Sequence, residues 1–123
     1  MTKSLTNINV LDFSHALSGP FCSMLLAELG AKIIKIEPPH GDHFRPANGG
    51  ATFAVVNRNK RSLCLDLKQP SASVIMERLI SKCDIILENF TPGTMKRLGF
   101  HYEALKKMKP DIIYASISGF GST

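Results

Sequence analysis

Residues 57–100 read NRNKRSLCLDLKQPSASVIMERLISKCDIILENFTPGTMKRLGF. Within this stretch Ser62–Leu67 alternates in polarity as a strand does, and Asp84–Leu87 is a short apolar run that reads as a second, buried strand. Between them, residues 71–82 place Val74, Ile75, Leu79 and Ile80 on an apolar helix face, with Glu77, Arg78, Ser81 and Lys82 facing away. Strand, helix and strand in this order predict a parallel arrangement joined by a crossover. The stretch also interleaves cations with a helix start whose backbone is open. That combination suits an anionic, nucleotide-like ligand held at strand ends.

The alternation continues on both sides. Ile8–Phe13 reads as a strand, and Ser18, Gly19 and Pro20 start a helix, with proline near the first helical position. From Phe21 to Leu29 only Cys22, Ser23 and Glu28 interrupt the apolar residues, so this helix is expected to be buried or to sit in an interface. Gly30 caps it, and Lys32–Glu37 forms the next strand, closed by Pro38 and Pro39. Residues 38–52 read as a long Pro/Gly-rich loop of the kind that is often functional. Short helices are expected at Pro92–Leu98 and Tyr102–Met108, and a last strand at Asp111–Ser116. The whole is an α/β fold with a mainly parallel sheet and helices on both faces. Ligands of such sheets sit outside the carboxyl ends of the strands, here Ser14–Gly19, Pro38–Gly50 and Asn89–Gly93.

A chain of 123 residues supports one domain, and its 44% hydrophobic and 20% charged residues are ordinary for a globular protein. A net charge of +5 favours an anionic ligand without naming one. The opening MTKSLTNINVLDF lacks the apolar core of a signal peptide, and no run approaches the ~18 apolar residues of a membrane span. Cys22, Cys64 and Cys83 show no CxxC or metal spacing and lie among apolar neighbours. They read as reduced packing thiols of an intracellular, cytoplasmic protein.

Several residues bear chemistry. Thr91 is placed to cap the helix that follows, and Gly93 leaves its backbone open. Thr94, Arg97 and Leu98 then share one face, offering a hydroxyl, a guanidinium and an apolar contact to a phosphate and a base. The same pattern also fits a capped surface helix with a solvated Arg97. Arg58, Lys60 and Arg61, followed by Lys68, fit either a solvated face or a phosphate-facing rim. The run is too short, and aromatic residues too few, for a nucleic-acid surface. His15 fits an acid, a base, a hydrogen-bond donor or a purely structural residue. His40, Asp42 and His43 lack a further obvious ligand, so no metal site is expected. A dinucleotide cradle is disfavoured, because the first turn reads SHALSGP rather than GxGxxG, although Glu37 ends the second strand where a ribose would be gripped.

Taken together, VLDFSHALSGPF, LAELGAKIIKIEPPHGD, NRNKRSLCLDLKQP, LENFTPGTMKRLGF and IIYASISGFG resemble the N-terminal part of the class III CoA-transferases, from about Val10 to Gly121. That family includes formyl-CoA and carnitine CoA-transferases and an α-methylacyl-CoA racemase branch. The resemblance implies that residues 1–123 are the coenzyme-binding part of a large Rossmann-like domain, without the small domain and the C-terminal return segment. It implies coenzyme A along the carboxyl side of the sheet, with Leu65 and Lys68 near the nucleotide. Asn89, Phe90, Thr94, Arg97 and Leu98 would line the adenine and phosphate region. His15, Ala16, Leu17 and Ser18 would border the thioester and acyl group. Leu17 stands where transferases often carry Gln, and Pro38 where some members carry an Arg that contacts the coenzyme. The implied partners are an acyl-CoA, a small carboxylic acid and a second subunit in an interlocked dimer or larger oligomer, with no membrane or nucleic acid. The family's nucleophilic Asp falls beyond the ISGFG strand, so no catalytic residue is expected in this chain, and the segment is expected to be inactive alone or to need a second chain carrying that Asp. Alternatives are a fragment of the racemase branch, whose His and Asp also come later, and a non-catalytic module for CoA binding or oligomerisation.

Overall fold

The structure, a computed structural model, describes residues 2–121. Five strands form one sheet: β1 (Asn9–Asp12), β2 (Lys32–Glu37), β3 (Arg61–Cys64), β4 (Ile85–Glu88) and β5 (Ile113–Ser116). Their spatial order is β3-β2-β1-β4-β5 and every pairing is parallel. The chain runs outward from β1 through β2 to β3, then returns to lay β4 on the other side of β1. That reversal between β1 and β4 is the switch point at which α/β sheets open a crevice. The expected α/β architecture is therefore observed, with a sheet that is wholly parallel among the described residues.

Helix α1 (Ser18–Glu28) joins β1 to β2, and α2 (Ala51–Asn57) packs beside it. Helix α3 (Pro70–Ile80) joins β3 to β4, followed by α4 (Thr94–Arg97) and α5 (Tyr102–Met108). Strand alternation sorts the core into two layers. Leu11, Phe13, Ile36 and Ile86 point to the α3 and α5 side, where Met76, Ile80, Cys83, Met95, Phe100 and Leu105 complete the larger cluster. Val10 and Ile33 point the other way and pack with Ala27 and Ala31.

Three expectations are corrected. Residues 38–52 are not all loop, because a 3₁₀ turn at Ala47–Gly50 leads directly into α2. Only the tight backbone of Asn48, Gly49 and Gly50, all at positive φ, breaks the pattern, and that break masked the helix. The buried face of α3 is Ala72, Met76 and Ile80, while Val74 and Ile75 are exposed. The i, i+4, i+8 row falls on the sheet, while Ile75 lies about a quarter turn round the helix and Val74 nearly opposite. Helix α1, expected to be buried or to sit in an interface, is buried on one side only, at Gly19, Pro20, Ser23, Met24 and Ala27, while Leu17, Phe21, Leu25 and Leu29 form an exposed row at four-residue spacing. Gly30 behaves as expected, with φ 107° and N–H groups of Gly30 and Ala31 returning to Ala27 and Leu26. Cys83 is a buried packing thiol, pushed up to about 12 by burial, whereas Cys64 lies exposed on edge strand β3 rather than in the core.

Two substitutions test these packing assignments in urea denaturation. Ile80→Ala opens a cavity against Met76 and Ile86 and is expected to cost about 2–5 kcal/mol. Val74→Ala, on the exposed side of the same helix, is expected to stay within about 0.5 kcal/mol.

Candidate functional site

The carboxyl ends of β1 and β2 carry charge where periodicity alone would place apolar residues. On the α1 side of the sheet, Val10 is followed by Asp12 and Ser14, and Ile33 by Lys35 and Glu37, all buried. Asp12 accepts from the Ser14 N–H at 2.9 Å and from the hydroxyls of Ser14 and Ser23. It also pairs with Lys60, whose ammonium at 3.0 Å donates in addition to the Pro20 carbonyl and the Asn57 side chain, both at 2.9 Å. Burial draws the Lys60 pKa down, and Asp12 opposes that pull. Lys60 is therefore neither a solvated cation nor a phosphate rim. The chain turns at Asn59, with φ 63°, and sends the lysine beneath the start of α1.

Lys35 is equally buried and links two loops. Its ammonium donates to the Ser14 carbonyl at 2.6 Å and lies 2.9 Å from Asp42 Oδ2. Glu37 anchors the same second loop. It receives Arg45 through two hydrogen bonds of 2.7 Å, the Ser62 hydroxyl at 2.7 Å and the Asp42 N–H at 3.0 Å. Burial, the largest single influence, works against its charge, but Arg45, Ser62 and the Asp42 backbone together outweigh it and hold the carboxyl at about 2. Glu37 is thus a loop anchor, not a ribose acceptor.

At the switch point β1 and β4 are stitched by one side chain. The Asn89 amide accepts from the His15 N–H at 2.9 Å and donates to the His15 carbonyl at 2.8 Å. This pair fixes the turn after β1, where Ala16 adopts φ 62°. Gly19 lies under that turn, and a Cβ there would meet Ser14 Cβ at 2.2 Å.

Beside the turn is a cavity of about 250 Å³. Its walls include His15, Leu65, Lys68, Phe90 and Leu98, five of the residues selected from the sequence. His40, His43, Lys35 and Asp42 complete it on the side of the second loop. Ala16, Leu17, Ser18, Asn89, Thr94 and Arg97 do not line it. Asn89 is engaged with the His15 backbone, and Leu17 and Ser18 are exposed at the start of α1. Arg97 lies exposed next to Leu98, donates to Thr94 Oγ1 at 2.8 Å, and takes part in no ion pair among the described residues. Thr91 does not cap α4. Its hydroxyl meets that of Thr94 at 3.1 Å, and Gly93, with φ 83°, occupies the capping position.

A larger hollow of about 800 Å³ opens at the amino ends of β1, β2 and β3, lined by Asn9, Lys32 and Arg61. Parallel sheets carry their chemistry at the other end, and none of the residues selected for the coenzyme reaches this hollow, so the smaller cavity is the candidate site. Among the described residues no three His, Cys, Asp or Glu side chains are grouped to hold a metal.

The buried charges Asp12 and Lys35 escaped the sequence reading, which weighed Asp42 only as a metal ligand and Lys60 only as a solvated or phosphate-facing cation. A signal was present: a lysine inside KIIKIE, a strand flanked on both sides, requires a buried partner.

Two outcomes are expected. Gly19→Ala drives a methyl group into Ser14 and the Asp12 cluster and should lower stability by about 1–3 kcal/mol or more in thermal unfolding. The Glu37 value of about 2 lies below its ordinary 4.5, so its charge stabilises the fold above about pH 4.5, a contribution lost as pH falls toward 2. Glu37→Gln should be less stable than wild type at pH 7, with a shallower loss across that acid range, followed by circular dichroism.

Comparisons with known proteins follow the same outline. The formyl-CoA:oxalate CoA-transferase of Bradyrhizobium diazoefficiens is 45% identical over 98% of this chain and 30% of its own length. The acetyl-CoA:oxalate CoA-transferase of Acetobacter aceti is 49% identical over 93% of this chain and 31% of its own. Thus the chain spans about 30% of the length of these curated relatives. Among solved structures, a CAIB/BAIF family protein from Brucella suis superposes with a TM-score of 0.95 at 34% identity, covering 100% of this chain and 35% of that one. Rv3272 from Mycobacterium tuberculosis gives 0.95 at 37% identity, covering 98% and 34%. The family model described as CoA-transferase family III matches residues 5–123, and the chain belongs to that family.

Proposed function

We propose that this chain forms the coenzyme-binding edge of a CoA-transferase, an enzyme that moves CoA between an acyl-CoA thioester and a carboxylic acid acceptor. The observation that carries this reading is the cavity at the switch point, where Leu65, Phe90 and Leu98 offer apolar walls and Lys68 a cation. Arg97 stands exposed beside Leu98 with no carboxylate partner among the described residues. Apolar walls suit an adenine or a pantetheine arm, and the two cations suit phosphates. His15, at the end of β1, borders the acyl end, with Ala16, Leu17 and Ser18 continuing that rim at the start of α1.

The reaction we assign proceeds by attack of an aspartate carboxylate on the thioester carbonyl, which expels CoA thiolate and forms an enzyme-bound anhydride. The thiolate then attacks the aspartyl carbonyl, releasing the donor acid and leaving an aspartyl-CoA thioester that the acceptor carboxylate resolves by the same steps in reverse. None of the three acids in the cavity wall is placed for that role. Glu37 is held by Arg45 and Ser62, Asp42 by Lys35, and Asp66 by the Lys68 N–H and Gln69. By the resemblance to the class III CoA-transferases the nucleophilic Asp is assigned to residues beyond the ISGFG strand, and the segment alone is expected to bind without turnover. The exposed row Leu17, Phe21, Leu25 and Leu29 supports association with a second subunit.

Titration of the purified chain with CoA by calorimetry tests the reading. Arg97→Ala should weaken binding by roughly tenfold to a hundredfold, the worth of a charge-assisted phosphate contact. Its unfolding midpoint should stay near that of wild type, since Arg97 is exposed and its side chain hydrogen-bonds only to Thr94 among the described residues. Undiminished affinity would remove Arg97 from the site, and absence of heat with the wild-type chain would remove the coenzyme.

A further inference from the structure

His40 and His43 play no part in the coenzyme contacts assigned above, yet they line the same cavity as His15. The His15 and His43 rings meet edge-on with centroids 6.2 Å apart, and the His40 and His43 centroids are 5.5 Å apart. Phe90 backs His15 at 5.2 Å. We propose that His15, His40 and His43 form an oxyanion-binding rim on this cavity, one that takes a phosphate of the coenzyme or a second carboxylate on the acyl group. This inference rests on the coenzyme reading and adds the chemistry of one wall to it.

Three observations carry it. First, the His15 hydrogen bonds are made by its backbone, and among the described residues none of the three rings has a hydrogen-bond partner, so their N–H groups remain available to a ligand. Second, the loop bearing His40 and His43 is fixed on both sides of them. The Gly41 N–H returns to the Pro38 carbonyl across His40. Asp42 is tied to Lys35 and Glu37, and Arg45 is tied to Glu37. The rings are thus presented by a braced scaffold rather than a slack loop. Third, the Lys68 ammonium in this wall has no carboxylate partner among the described residues. Glu37, Asp42 and Asp66 are each engaged within the protein, and Lys35 is matched by Asp42. What remains facing the cavity is Lys68 and the three imidazoles. Imidazole N–H donors beside the Lys68 ammonium suit an anion. The rings are not grouped to hold a cation, since no metal-ligating cluster forms among the described residues.

The test compares the wild-type chain with the double variant His40→Ala/His43→Ala, whose side chains are exposed, so that folding is retained and checked by thermal unfolding. Calorimetry with CoA, pantetheine, acetyl-CoA and malonyl-CoA separates the sources of the anion. The variant is expected to lose at least about tenfold in affinity for one class of probe. A loss with CoA but not with pantetheine, which has no phosphate, supports a phosphate. A loss greater for malonyl-CoA than for acetyl-CoA supports an acyl carboxylate. Equal affinity of variant and wild type for all four overturns the rim while leaving the coenzyme site standing, and so does an equal loss on pantetheine and CoA. A wild-type chain that binds none of the four overturns both.

Discussion

A carboxylate buried at the carboxyl end of the central strand governs the rest of this structure. Asp12 lies wholly out of water, and an uncompensated charge there would cost several kcal/mol. The fold answers with two serine hydroxyls, a backbone N–H and the Lys60 ammonium. These partners come from three segments: the turn after β1, helix α1, and the connection before β3. One charge thereby specifies how three stretches of chain converge. Such clusters add little net stability, because desolvation offsets attraction, but removing one member leaves an orphan that is costly to bury. Their value here is the uniqueness of the arrangement at the edge where a ligand would sit.

The same logic repeats one strand over. Lys35 joins the carbonyl of Ser14 to Asp42, so the turn that carries His15 and the loop that carries His43 are set against one another through one buried ammonium. Glu37 then locks the far side of that loop through Arg45 and Ser62. On the opposite flank Asn89 hydrogen-bonds both backbone groups of His15, which ties β4 to β1 at the switch point. The cavity is what these three fastenings leave between them. Where a glycine-rich cradle opens dinucleotide-binding sheets, this chain has a turn closed by side chains. Its one essential glycine, Gly19, serves close packing against Ser14.

Much of the fold was legible because the residues concerned act locally. All five strands, the cap at Gly30 and the helical nature of residues 71–82 follow from periodicity and backbone preference. Leu65, Lys68, Phe90, Leu98 and His15 could be selected from motif resemblance, and the structure brings those five to one cavity. Arg97 and Thr94 fall outside its walls on the adjoining surface, and Asn89 is engaged in fastening the turn. Helix α2 was hidden by three consecutive left-handed residues that local preference reads as loop. The buried face of α3 was misplaced because Val74 and Ile75 are more hydrophobic than Ala72, while depth in the sheet interface depends on angle around the helix and not on hydropathy.

The sequence by itself determined the order of the five strands, the parallel α/β class and the family, because these depend on periodicities and motifs written along one stretch of chain at a time. Tertiary structure alone decided that Lys60 and Lys35 are interior cations, that Glu37 anchors a loop, and that His15, His40 and His43 share a wall. Those outcomes depend on which charges meet across dozens of residues, and a buried charge takes its role from the partner that folding brings to it.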